Sequence, residues 1–121
     1  MIKQRAERID SAAKRFLEFL SALEPEFRQG FFRFRLEKQM HESCASYKTP
    51  DEVLIVSALE HDQFFDDMED SCVEILSAMG RIPALMLITV DRDVEYEIQF
   101  EYADMARWPL SLANGGSGLP G

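Results

Sequence analysis

The chain has 121 residues, 46% of them hydrophobic, and a formal net charge of −9. That length predicts one domain with a core of its own, and the acidic balance argues against direct nucleic-acid binding, which needs a basic footprint on the phosphates. No stretch approaches the ~20 apolar residues of a membrane span.

The start, "MIKQRAERIDSAAKRF", is polar and charged, without the apolar centre of a signal sequence, so a cytoplasmic location is expected. Two cysteines, Cys44 and Cys72, make no disulfide framework and are read as reduced thiols.

Residues 2–24 repeat Ile2, Ala6, Ile9, Ala13, Phe16, Leu20 and Leu23 at spacings of four and three, the stripe of an amphipathic helix. Pro25 ends it, because proline disfavours helical geometry at Glu24 and lacks an N–H. The same stripe fits a short coiled-coil seam, but packing on a sheet is the better reading.

The period then changes. In "FRQGFFRFRLE", residues 27–37, Phe32, Phe34 and Leu36 alternate with Arg33, Arg35 and Glu37, predicting a half-buried strand with a basic outer face. "MHESCASY", 40–47, reads as the returning arm of a hairpin, and "KTPDE" as a turn. The apolar run "VLIVSAL", 53–59, suggests a strand covered on both faces.

Helical period returns over residues 61–79, with Phe65, Met68, Cys72, Ile75, Leu76 and Met79 on one side and Asp62, Asp66, Asp67, Glu69, Asp70 and Glu74 on the other. Gly80 closes this helix. "RIPALMLITV" reads as a buried strand beginning after Pro83, and "DRD" as a tight turn into "VEYEIQFEY". From Asp91 to Tyr102 the chain alternates, with Val94, Tyr96, Ile98, Phe100 and Tyr102 on one parity and Asp91, Asp93, Glu95, Glu97, Gln99 and Glu101 on the other. The tail, 111–121, is rich in glycine and looks flexible, with no packing content.

The predicted fold is therefore α+β. A mostly antiparallel sheet of about five strands carries two helices on one face, in the order α-β-β-β-α-β-β, within a single domain over 2–110. The other face of the sheet is expected to stay free and partly polar.

No catalytic constellation is recognisable. His41 and Cys44 lie three apart on a predicted strand, which sends them to opposite faces. His61 sits at a helix start with no nucleophile or orienting group near it in sequence. A metal site joining His61 to the acidic helix face is the weaker reading beside a solvated face, and no calcium-binding loop is present. Neither a glycine-rich phosphate loop nor a nucleophile elbow occurs. No catalytic residue, metal ligand or cofactor is expected. "FRQGFFRFR" interleaves arginine with aromatics as a single-strand-binding platform does, yet the same arginines are available as counter-ions for Glu95, Glu97 and Glu101 if the two strands are neighbours.

Two explanations of the acidic closing strand stay open. Either Arg33 and Arg35 neutralise it inside the molecule, or a basic protein partner does so from outside. On the second, Glu95, Glu97 and Glu101 form the binding face, with Asp66, Asp67 and Asp70 as a second candidate set; Trp108 is the aromatic anchor, beside Tyr96 and Tyr102, whose apolar parity favours burial instead.

The ending "EIQFEYADMARWPL" and the order of elements resemble small bacterial immunity proteins of toxin–immunity systems, including those of contact-dependent inhibition, and in particular the YezG-like kind. The resemblance implies a non-enzymatic inhibitor that binds a cognate toxin domain, often a nuclease. It assigns no contact residues. The alternative is a small cytoplasmic adaptor or secretion chaperone gripping a protein partner, or oligomerising, through the first helix or a sheet edge.

Overall fold

Among the described residues, two helices cover one face of a five-stranded antiparallel sheet. The computed structural model describes residues 2–38, 40–80, 82–93, 95–108 and 118–120, with side chains from residue 7 onward. The elements are α1 (Ile2–Leu23), β1 (Gln29–Glu37), β2 (Met40–Lys48), β3 (Val53–Ile55), α2 (Asp62–Met79), β4 (Ala84–Asp91) and β5 (Tyr96–Glu101). Their spatial order is β3-β2-β1-β4-β5, with every neighbouring pair antiparallel. The α+β fold and the order of its elements are those the periodicities predict.

The middle of the α1 stripe is spent inside the molecule, while Leu23 at its end is exposed. Ala13, Phe16 and Leu20 are buried with Phe32, Phe34, Met86 and Ile88 of the sheet and with Phe65, Met68 and Leu76 of α2. No seam is left over for a coiled coil along these positions. Ile2 and Ala6, expected on the same stripe, lie outside the described side chains. At Gly30 the side chains of α1 lie directly on β1: a Cβ there would collide with Leu20 and stand 3.2 Å from Phe16. In α2, Asp62 occupies the first turn, where the helix dipole favours an anion. Gly80 ends the helix at φ 69°, its N–H bonded to the Leu76 and Ser77 carbonyls.

The run 53–59 does not form a strand covered on both faces. Only Val53–Ile55 pair, at the edge of the sheet, and Ile55 is 40% exposed. Beyond Val56 the chain turns; the Ser57 hydroxyl accepts the Glu60 N–H, and Leu59 stands almost wholly in solvent.

The second face of the sheet is not simply free and polar. Phe31, Leu85 and Leu87 form a separate apolar cluster with Trp108, and Cys44, Met105 and Leu119 pack against it. The tail therefore has packing content where it is described: the Gly118 carbonyl accepts the hydroxyl of buried Ser46 at 2.6 Å. Residues 111–117 and 121 lie outside the described residues.

Candidate functional site

The strand register decides what each acidic side chain can meet. On the face away from the helices, one row runs Glu42, Arg35, Leu85, Glu101. The next runs Cys44, Arg33, Leu87, Gln99, and a third Ser46, Phe31, Thr89, Glu97. Strand β4 thus lies between the arginines and the acidic strand, holding them roughly 10 Å apart at the backbone.

The arginines turn the other way. Arg33 pairs with Glu42 at 3.2 Å, and Arg35 with Glu37 at 3.1 Å and Glu42 at 3.7 Å. Neither has an ion pair with Glu95, Glu97 or Glu101. Their Nε atoms are buried and meet no hydrogen-bond partner among the described residues.

The three glutamates do not behave alike. Glu101 is answered inside the fold: Arg107 donates to one oxygen, and the Ala103 and Asp104 N–H groups to the other. Glu97 accepts from Gln99 at 3.0 Å, a neutral partner. Glu95 is exposed, and its side chain meets no cation among the described residues. Asp93, of the same acidic parity in sequence, is exposed as well, in the Asp-Arg-Asp turn.

The turn is held in shape by its own residues. The Asp91 carboxylate accepts the N–H groups of Asp93 and Glu95 at 2.9 and 3.2 Å, a local side-chain closure of the kind aspartate favours. Arg92, the nearest cation in sequence, is committed to backbone. Its guanidinium donates to the Pro25 and Phe27 carbonyls at 2.5 and 3.4 Å, and its N–H to the Arg28 carbonyl. Gln29, Thr89, Asp91, Glu95 and Glu97 line a shallow open depression beside the turn.

The second acidic set lies elsewhere. Asp66 and Asp70 are exposed on α2, in the helical layer. Asp67 accepts from Gln63 through its side chain and from Arg15 through its carbonyl. Helix α2 packs over β1 and β2, whereas the closing hairpin is at the opposite edge with its carboxylates on the far face. The two sets do not form one surface.

Trp108 is no exposed anchor. It is 5% exposed, packed on Phe31, Leu85 and Leu87 with Arg107 stacked 4.6 Å over its ring. It also holds φ 60°, a left-handed conformation costing about 1 kcal/mol that the burial of its ring offsets. Tyr96 is the exposed aromatic of the hairpin, at 42%, and its hydroxyl donates to Asp10 of α1. Asp10 in turn pairs with Lys14 at 3.0 Å.

Outside the hairpin, the notable polar cluster joins β2 to α2. One oxygen of Glu69 meets His41 Nε2 at 3.2 Å, and the other accepts the Ser43 hydroxyl. Both partners converge on the carboxylate, so the histidine does not face the serine as a base would face a nucleophile. His41 and Cys44 do point to opposite faces, His41 toward α2 and Cys44 toward the Trp108 cluster. His61 packs edge-on against Phe19, ring centroids 5.1 Å apart. Cys72 is fully buried, and burial pushes its thiol up, away from reactivity.

Among the described residues no group of three or more histidine, cysteine, aspartate or glutamate side chains comes together to hold a metal ion. No helix there is long and apolar enough to cross a membrane. Compared with protein-family models and with curated proteins, the chain matches none.

Proposed function

We propose that this chain is a non-enzymatic immunity or inhibitor protein that binds and neutralises a basic toxin domain, a nuclease being the best fit, through its acidic closing hairpin. One observation carries the reading. Asp93, Glu95 and Glu97 stand without a cation among the described residues, while Arg33, Arg35, Arg92 and Arg107 are all engaged elsewhere. A nuclease must hold phosphates, so its cleft is basic. An acidic hairpin held rigid by the Asp91 and Arg92 contacts presents carboxylates to such a cleft at little entropic cost. Glu101 drops out of the proposed contact set, because Arg107 already satisfies it; the α2 set, on another surface, is second.

The adaptor or secretion-chaperone reading survives in one form. With Ala13, Phe16 and Leu20 of α1 buried, a sheet edge is the better grip, and β5 supplies one.

The experiment is co-expression with the product of the adjacent reading frame, followed by co-purification and association kinetics. The double variant Glu95→Lys/Glu97→Lys should slow association about tenfold at low salt and flatten its salt dependence. Unchanged kinetics would remove this hairpin as the site.

A further inference from the structure

We infer that the basic partner binds as an added strand along the outer edge of β5, an inference that rests on the reading of the hairpin as the partner site. Among the described residues, strand β5 is the last in the sheet and pairs only with β4. The Asp91 N–H donates to the Glu95 carbonyl at 3.0 Å, so these two face each other as a hydrogen-bonded pair. Opposed residues in an antiparallel ladder alternate between bonded and non-bonded pairs. Through the unbroken register Thr89↔Glu97, Leu87↔Gln99, Leu85↔Glu101, the backbone of Glu97, Gln99 and Glu101 is therefore spent on β4. The N–H and C=O groups of Tyr96, Ile98 and Phe100 point outward, and none meets a backbone partner among the described residues.

The two sides of this edge differ in chemistry. Toward the helices, Ile98 and Phe100 are only half-buried against the main core. Toward the other face stand Glu95 and Glu97. A strand laid alongside would place alternate side chains against each, so the partner segment that fits alternates apolar residues with lysine or arginine. A second copy of β5 fits badly, because it would set glutamates opposite glutamates. The opposite edge, β3, is three residues long and lacks this acidic row.

The test uses a short synthetic peptide of alternating valine and lysine, with a block isomer of the same composition as control. The alternating peptide should bind at least about tenfold tighter and slow amide exchange at Tyr96, Ile98 and Phe100 about tenfold or more, leaving Gln99 unchanged. Ile98→Pro should abolish this binding without costing a bond to β4, since proline is tolerated where an edge N–H faces solvent. Exchange on the unmodified chain reads the same point should that variant misfold. Equal binding of both peptides without protection of those amides, or binding of neither, overturns strand addition. The acidic-surface reading is judged separately, by Glu95→Lys/Glu97→Lys against the natural partner: loss there, with Ile98→Pro binding normally, keeps that reading and sinks this one.

Discussion

The Arg107 guanidinium donates to the Glu101 carboxylate at 2.6 Å, and this bond, more than any other contact, removes Glu101 from the pool of unanswered acids. Together with the Ala103 and Asp104 N–H groups it holds the Glu101 carboxyl down to about 2, from an ordinary 4.5. A group depressed in the folded state contributes stability above its unfolded value and loses it as pH falls through the folded one. The contribution should therefore fade between about pH 4.5 and 2. Glu101→Gln should flatten the acid limb of a plot of melting temperature against pH, while leaving its neutral limb unaltered in shape.

Trp108 should behave as a core residue. Trp108→Ala removes the centre of the second apolar cluster and should cost about 3 kcal/mol, read from urea midpoints. As the only tryptophan in the chain, it also reports on itself. Native emission should be blue-shifted and should move red in the same transition that backbone dichroism records.

Gly30→Ala tests the approach of α1 to the sheet. The added methyl meets Leu20 and Phe16, both fully buried, and overpacking of this kind costs about 1–3 kcal/mol. Denaturant melts of the variant should show a lowered midpoint with an unchanged slope.

Two glutamates of the closing hairpin, Glu95 just before β5 and Glu97 within it, carry a second duty that needs no partner. Charges on an edge strand keep it from pairing with another copy. Neutralising Glu95 and Glu97 to glutamine should produce concentration-dependent self-association in sedimentation velocity, with the melting temperature little changed. A strictly monomeric variant would show that the edge is guarded by something else.

Much of the fold was written in local periodicity. The stripe Ala13, Phe16, Leu20 and the stripe Phe65, Met68, Cys72, Leu76 repeat at helical spacing, and the alternation in β1 and β5 is unambiguous. What periodicity does not encode is strand order. The question of whether Arg33 and Arg35 reach Glu95 and Glu97 depends on β4 lying between them. Nothing within β1 or β5 announces that. Glu42, the acid that takes both arginines, was in plain view, but only the register of the first hairpin sets it opposite Arg35.

The candidate site was legible in its acids and not in its cations. Arg92 and Arg107 flank the closing strand and look equally available in sequence, yet one is bound to carbonyls and the other to Glu101. Trp108 and Leu119 were obscured differently. Surrounded by loop-forming residues, they carry no periodic signal, and their burial depends on the apolar patch of Phe31, Leu85 and Leu87 lying beneath them.

The place of β4 in the middle of the sheet also bears on how the chain folds. β1–β2 and β4–β5 are both hairpins between consecutive strands, formed by nearby residues. Joining them requires Gly30 to find Val90 across everything in between, α2 included. Local pairs close at small entropic cost and distant ones at a larger cost. Two hairpins that form early and a seam between them that zips late is the route this topology favours, with the seam as the kinetic bottleneck.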